Sequence, residues 1–586
     1  LFGSDFEDVD FRSRHFSASK NKGFPPVVKK ERSKSYEEFV KNFHLEIPEN
    51  FNFAFDFMDA QAKKTPHALA MIHVDNHGDR KDYDFAYFAR ESSKLAHGLA
   101  KLGVGRGDKV MLILYRRVEF WTACLALHKL GAVVIPASFL LTGKDIVERV
   151  NFASVKCVLI ESTLVKRVDD VRSQCPDLKS LIEVGDNVKP RAGWLAYDAV
   201  CKGQSDTYTR PKNCPGGKDP MLIFFTSGTT GLAKMVEHNH EYPYGHVMTA
   251  SYWHDLEPGD IHLSVADTGW GKAMWGKFYG QWMAGAVVFV YDFRDKFMPK
   301  NLLRIIAENK VSTFCAPPTV YRFLVREDFT PYDLSHLRHC TTAGEALNDS
   351  IAAEWKAKLN LSIYEGYGQT ETTLLIATFP FMEVRSGSIG KPCPGWTVKI
   401  LDINDRPCKP GDEGEICVDI SKSRPLGLFD GYAKDPAKTD EVFRNGYYHT
   451  GDKAYADEDG YFWFLGRTDD VIKSAGYRIG PFEVESALIS HEAVLEAAVT
   501  SVPDPVRGQA VKATIVLAPG YTPSPELTME LQKHVKKCTA PYKYPRIVEY
   551  VKELPKTVSG KIKRAEIRQS DARRGVAEHH SLKGLD

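Results

Sequence analysis

Thr226–Lys234 reads TSGTTGLAK and follows directly on Met221–Phe225, the apolar run MLIFF. An apolar run of this length predicts a buried strand, so the loop begins at a strand end, where α/β sheets place their ligands. Within it, Gly228 and Gly231 let backbone N–H groups approach an anion closely. Thr226, Ser227, Thr229 and Thr230 add hydroxyl donors, and Lys234 adds a mobile positive charge. Those are the parts of a polyphosphate clamp, for which ATP is the expected guest. A Walker loop is excluded, because it needs glycine before its lysine and Ser or Thr after it, and Lys234 stands between Ala233 and Met235. Gly105–Lys109, Gly387–Lys391 and Ser559–Lys563 fail the same test. A lone Gly/Ser/Thr-rich stretch is also compatible with an ordinary surface turn.

Outward from the loop, apolar runs alternate with helix-like segments. Lys109–Leu114, Ala132–Pro136 and Cys157–Ile160 read as strands, and Val118–Leu130 and Lys144–Ala153 as helices. That alternation predicts βαβ units around parallel sheets. After Gly466 the elements shorten, with Val511–Pro519 the clearest strand and Pro525–Cys538 the clearest helix. The expected fold is α/β, with an irregular leader over 1–45, a large N-terminal domain of parallel-sheet βαβ subdomains over 46–468, and a small mobile α+β domain over 469–586.

Lys plus Arg (77) and Asp plus Glu (76) leave a formal charge of +1, so no global field favours nucleic acid or an anionic membrane. The partners expected are small molecules. The eleven cysteines are scattered with no CxxC, which suits free thiols in a reducing compartment, the cytoplasm, better than a disulfide framework or a zinc site. No stretch approaches the ~20 apolar residues of a spanning helix, so no integral membrane association is expected. The N-terminal segment lacks the apolar core of a secretory signal.

Four further stretches stand downstream of the loop: YEGYGQTET (Tyr364–Thr372), YHTGD (Tyr448–Asp452), GRTDDVIKSAGYRIGPFEVE (Gly466–Glu485) and PKTVSGKIKR (Pro555–Arg564). With TSGTTGLAK they resemble the motifs of the adenylate-forming superfamily, in the superfamily's order, over roughly residues 50–570. That superfamily includes acyl-CoA synthetases, luciferases and nonribosomal peptide synthetase adenylation domains. ADTGWGKAMWGKFYGQW (Ala266–Trp282) and GYGQTE are most similar to medium-chain acyl-CoA synthetases. The resemblance implies ATP-dependent conversion of a carboxylate to acyl-AMP, then transfer to CoA, with Mg²⁺ as metal.

Residue by residue, the resemblance makes Lys561 the catalytic lysine that neutralises charge developing on the α-phosphate. Glu371, beside Thr370, becomes the Mg²⁺ ligand. Gly344, Glu345 and Ala346 would line the adenine, although many relatives carry proline at the position of Ala346. Glu365, Gly366, Tyr367, Gly368 and Gln369 would continue that wall. Asp452 suits the ribose hydroxyls, and Arg467 a ribose or phosphate contact. Ala475, Gly476, Tyr477 and Arg478 would line the pantetheine tunnel, and Asp469 occupies the hinge position. Arg507, Lys536, Tyr544, Pro545 and Arg546 are candidates for the nucleotide end of CoA, with a solvated surface the competing reading. Lys556, Lys563 and Arg564 read as solvated surface charge. Acetyl-CoA synthetases carry tryptophan where Gly368 stands, so the acyl pocket is expected to continue past a methyl group, with Trp270, Trp275 and Tyr367 as its other walls. Short-to-medium, even branched, acids are the expected substrates.

An adenylating enzyme that delivers its acyl group to a carrier-protein thiol or an amine is the first alternative: pyrophosphate exchange would be positive for both, and only CoA-dependent AMP release separates them. A kinase or ATPase would release ADP rather than AMP. A non-catalytic nucleotide binder is disfavoured because Lys561, Glu371, Asp452 and Arg467 are all present.

Overall fold

Leu69–Val74, Val133–Ala137 and Cys157–Glu161 are buried along almost their whole length, the pattern of strands covered on both faces. A computed structural model of the chain describes residues 26–226, 233–295, 297–345, 347–467, 470–475, 477–556 and 561–574, without the side chain of Arg478. The expectations for Ser227, Gly228, Thr229, Thr230, Gly231, Ala346, Asp469, Gly476 and the Arg478 side chain therefore lie outside the described residues.

Two large sheets build the body. In one, Lys109–Ile113 lies between Val133–Ala137 and Cys157–Glu161, all parallel, and Val133–Ala137 is followed by Pro220–Thr226. The βαβ alternation thus folds as the sequence pattern predicts. The helix Val118–Leu130 is buried on nearly every side, so no amphipathic period marks it, and it ends at Gly131 in a left-handed turn (φ 68°). In the other sheet, Leu69–Val74, Val287–Tyr291, Ile261–Ser264, Thr313–Cys315, His339–Ala343 and Ile363–Tyr367 run parallel. Antiparallel strands continue it through Ser388–Pro392, Phe462–Arg467, Tyr447–Ala456 and Gly414–Asp419.

Beyond Arg467 a separate sheet forms from Ile472–Ser474, Tyr477–Ile479, Val494–Asp504, Gly508–Leu517 and Ile547–Tyr550. It packs its own core, including Val484, Leu488, Ile515, Leu531 and Val535, against the helices Pro481–Ile489 and Pro525–Cys538. The small unit touches the body where Arg322 Nη1 donates to Leu495 O at 3.2 Å and Asn348 Nδ2 to Ser486 O at 2.9 Å. No helix among the described residues is long and apolar enough to cross a membrane.

Two sequence expectations need correction. The described part of the leader is not irregular throughout: Tyr36–Asn42 is a helix capped by Ser35. Its Phe39 is buried against Tyr252, Phe379 and Phe381 at ring-centroid distances of 4.8–5.3 Å. Seven residues are too few to hold a helix by local propensity, so only packing makes it. Arg564 is not solvated surface: its guanidinium holds Glu485 at 2.7 and 2.8 Å.

Candidate active site

His339–Ala343 and Ile363–Tyr367 are parallel neighbours, so the residues that follow them, Gly344–Glu345 and Gly368–Thr372, emerge at the same sheet edge. Thr226 and Lys234 face each other across an antiparallel ladder. Asp452 and Arg467 are likewise cross-strand partners. Three separate stretches of chain thus deliver their polar residues to one place.

Asp452 is the centre of the first cluster. It is buried, and its carboxylate accepts from the Tyr367 hydroxyl and Gln369 Nε2, both at 2.6 Å, and from Arg467 Nη1 at 3.2 Å. Gln369 also donates to Thr450 O at 2.8 Å and accepts from the Tyr448 hydroxyl at 2.7 Å, while Arg467 donates to Thr450 O at 3.0 Å. A buried carboxylate is costly unless partnered, and here two of the three partners, Gln369 and Arg467, are themselves fixed by a bond to Thr450 O. Burial, then the Asp452 charge, push the Tyr367 phenol well above its ordinary range, which keeps it a donor.

Glu371 and Lys234 meet through a residue that the sequence reading missed. The Tyr432 hydroxyl donates to Glu371 Oε1 at 2.9 Å, and Lys234 Nζ stands 5.0 Å from the Tyr432 ring centroid. Tyr432 reaches this position because Gly431–Tyr432 pairs antiparallel with Val236–Glu237 on the strand that Lys234 opens. That pairing spans almost two hundred residues and leaves no local signal. Burial, then the neighbouring Lys438 charge, pull the Lys234 ammonium below its ordinary value, against the opposing pull of Glu371. Thr370 is anchored through its carbonyl, which bonds His238 Nε2 at 2.7 Å. Glu371 is only partly buried and Tyr432 engages one of its oxygens, so the donor set fits a hard dication that takes one carboxylate and completes its shell with phosphate oxygens and water.

Glu365 serves the wall rather than presenting a free carboxylate. Its Oε2 accepts from the Leu347 N–H at 3.0 Å, and burial raises it to about 8. Glu345 is exposed beside Gly344, with Thr319 Oγ1 at 3.2 Å. Gly366 has no room for a side chain, since a Cβ would lie 2.6 Å from the Trp253 ring. A second missed residue is Lys272, whose Nζ donates to Ala343 O at 2.6 Å. Burial, then the Lys561 charge, pull its pKa down, against Cys315 and Glu345. The catalytic-lysine candidate of the small unit therefore lies within electrostatic reach of the body's sheet edge.

The acyl expectation is corrected at Gly368. A Cβ there would meet Trp275 Cη2 at 2.4 Å and Thr373 O at 2.6 Å. The space beside the missing side chain is taken by the Trp275 indole, which packs directly against Gly368. Trp270 precedes the helix Gly271–Gly276 that carries Trp275, and its Nε1 is buried without a hydrogen-bond partner among the described residues.

The CoA candidates form two groups. Ala475 donates its N–H to Arg507 O at 2.9 Å, and Tyr477 stacks on Tyr542 at 4.1 Å. Lys536 lies 4.1 Å over the Tyr544 ring and Arg546 4.6 Å from it, with Arg546 Nη1 bonding the Tyr544 hydroxyl at 2.7 Å. Pro545 O accepts from Gln532 Nε2 at 2.9 Å. Tyr544 is thus a buried pedestal for two cations.

Residues 58–433 match the AMP-binding enzyme family, and residues 483–561 match the AMP-binding enzyme C-terminal domain. Human acyl-coenzyme A synthetase ACSM3, mitochondrial, is 43% identical over 546 residues, 92% of each chain. Human acyl-coenzyme A synthetase ACSM5, mitochondrial, is 42% identical over 570 residues, 95% of this chain and 97% of the relative. Among solved structures, the anthranilate CoA ligase AuaEII in complex with anthranoyl-AMP superposes with a TM-score of 0.83 at 28% identity, covering 90% of this chain and 99% of that one. An acyl-CoA synthetase from Brucella canis superposes with a TM-score of 0.69 at 29% identity, covering 92% and 99%.

Proposed function

Because the chain belongs to the AMP-binding enzyme family, we propose that it is an AMP-forming acid–CoA ligase whose centre lies between Asp452, the Lys234–Tyr432–Glu371 group and Lys561. The observation that carries this reading is the convergence of an anion-binding cation, a dication-fitting carboxylate and a partnered ribose-type carboxylate on one sheet edge.

A carboxylate is a poor electrophile, since attack on it adds charge to an anion. ATP removes the obstacle: the carboxylate oxygen attacks the α-phosphorus, the bond to pyrophosphate breaks, and acyl-AMP forms. Lys234 and the hydroxyls of its loop would hold the polyphosphate, and Asp452 the ribose. Mg²⁺, on Glu371, would supply charge neutralisation across the phosphates. Lys561 would meet the charge that grows on the α-phosphate, the kind of preorganised contact worth ~3–4 kcal/mol. In the second step the CoA thiol attacks the acyl carbonyl and AMP leaves with the anhydride electrons. Lys561 must withdraw for CoA to enter, so rotation of the small unit about a hinge at Asp469 is part of the proposal. Arg507, Lys536 and Arg546 would hold the CoA nucleotide.

The substrates proposed are short-to-medium carboxylic acids. Trp275 is the floor, so Trp275→Ala should shift the preferred chain upward by two or more carbons, each worth about 0.8 kcal/mol of burial. A competition assay across a homologous acid series reads this. An unchanged profile would place the floor elsewhere.

A carboxylate panel with ATP, Mg²⁺ and CoA tests the whole proposal. CoA-dependent release of AMP and pyrophosphate is expected, whereas ADP release would sink it, and AMP release with an amine or carrier thiol but not CoA would favour the alternative acceptor. For location, the eleven unpaired cysteines support a reducing compartment. The cytoplasm is the expectation from the sequence, the named relatives are mitochondrial, and cell fractionation separates the two.

A further inference from the structure

The strands Gly414–Asp419 and Tyr447–Ala456 pair antiparallel, with Cys417 directly opposite His449. Glu415 stands two residues before Cys417, across a register break in this ladder, and its carboxylate reaches the same imidazole nitrogen. His449 Nδ1 lies 3.1 Å from Glu415 Oε2, 3.4 Å from Cys417 Sγ and 2.9 Å from Arg444 Nη2. One ring nitrogen carries either a proton or a lone pair, so it cannot accept from Arg444 and donate to Glu415 at once. The three ligand-type atoms all lie within 4.8 Å of one another. A tetrahedral zinc with ordinary bond lengths requires ligand–ligand edges of about 3.3–3.6 Å. The two edges formed by His449 Nδ1 are therefore already near those of a metal cage, and the positive charge filling the position is the Arg444 guanidinium, 3.8 Å from Glu415.

The surroundings favour an ion further. His449 is buried, and its other nitrogen, Nε2, has no hydrogen-bond partner among the described residues but faces Asp405 Oδ1 at 3.9 Å. A carboxylate behind a ligating histidine orients the ring and raises its basicity. The Arg444 side chain is 43% exposed and the Glu415 side chain 20%, so the guanidinium can swing out and the position is reached from solvent.

We propose that Glu415, Cys417 and His449 form a binding site for a borderline-soft divalent cation, Zn²⁺ being the best match to one carboxylate, one thiolate and one imidazole, with a water as fourth ligand. Cys417 gives up its proton to solvent on binding, and Arg444 is displaced. Glu415 Oε1 accepts the Gly451 N–H at 2.8 Å, one residue before Asp452, so a bound ion pins the two strands immediately beside the ribose-type carboxylate. The site is separate from the Glu371 position.

Co²⁺ substitution in the full chain tests this, because a cysteine–cobalt bond gives a ligand-to-metal charge-transfer band in the near ultraviolet. One equivalent of Co²⁺ should produce that band together with tetrahedral visible bands, and Zn²⁺ should abolish both. Cys417→Ser should remove the charge-transfer band and weaken Zn²⁺ in equilibrium dialysis at least tenfold. Arg444→Ala, at an exposed position that threatens the fold less, should tighten Zn²⁺ about tenfold by removing the competing cation. No charge-transfer band in the wild type, a band that persists in Cys417→Ser, or a Zn²⁺ affinity that Arg444→Ala leaves unchanged or weakens would each overturn the assignment.

Discussion

Asp452 and Lys561 are proposed to act on the same nucleotide, yet they are held in opposite ways. Asp452 is 5% exposed and accepts from three donors, two of them also bonded to Thr450 O, so its geometry is fixed before any ligand arrives. Lys561 is exposed, on a segment whose position derives from the helix Arg564–Arg574 that follows it. That helix is moored to the small unit by ion pairs: Arg564 to Glu485 at 2.7 Å, Arg568 to Asp470 at 2.7 Å, and Asp571 to the fully buried Lys512 at 2.5 Å. The body preorganises its charge, whereas the small unit carries its charge on a core of its own. If Lys561 arrives for one step and leaves for the next, as proposed, a separately packed core is what can carry it.

Lys512→Met tests the mooring and should have the largest effect. It takes the buried cation from Asp571 and Glu549, and because the half-exposed Arg574 still pairs with both, the loss should sit at the lower end of the ~3–5 kcal/mol expected when one member of a buried cluster is removed. Denaturant unfolding of the small unit should shift accordingly and pyrophosphate exchange should fall, while binding of a fluorescent nucleotide persists. Parallel loss of nucleotide binding would erase the distinction between the two regions.

Lys561→Ala sharpens the same contrast on the chemical step. Pyrophosphate exchange should drop ~10²–10³-fold, and thioester formation from supplied acyl-AMP should survive. Equal loss of both steps would mean that the lysine is not confined to the first.

Glu365 gives a pH handle on the preorganised side. Its folded pKa of about 8 lies above the ordinary 4.5, so it contributes stability fully below pH ~4.5 that is lost as pH rises to about 8. Glu365→Gln lacks this titration, so thermal melts should show the variant gaining on the wild type between pH 5 and 8, by on the order of 2–3 kcal/mol. A constant difference across that window would show that the carboxyl is ionised in the fold.

Tyr432→Phe should have the smallest effect. It deletes one hydrogen bond to Glu371, worth about 1–1.5 kcal/mol, so adenylation should weaken roughly tenfold at limiting Mg²⁺ and recover at saturating Mg²⁺. A defect independent of Mg²⁺ concentration would detach Tyr432 from metal binding.

Much of the fold was legible because its signals are local. Val118–Leu130 and Pro525–Cys538 take the boundaries read from pattern, and Pro220–Thr226 is the strand that leads into the glycine-rich loop. Asp452, Arg467, Gln369 and Tyr367 were named from short motifs, and the fold joins them in one hydrogen-bonded cluster. Tyr432 and Lys272 were missed because each owes its place to a distant strand, Lys234–Asn239 for one and His339–Ala343 for the other. Arg564 was misread for the same reason, since a basic run looks solvated until Glu485 is folded against it.

The sequence by itself determined the chemistry: which loop suits phosphate, which carboxylates stand in which motif, and the alternation that makes parallel sheets. Those are properties of neighbouring residues, and neighbours are what a sequence displays. Only the tertiary structure decided what lies beside Gly368: the residue suggested open space, and the Trp275 indole fills it. A glycine announces that something approaches closely, but what approaches comes from another part of the chain.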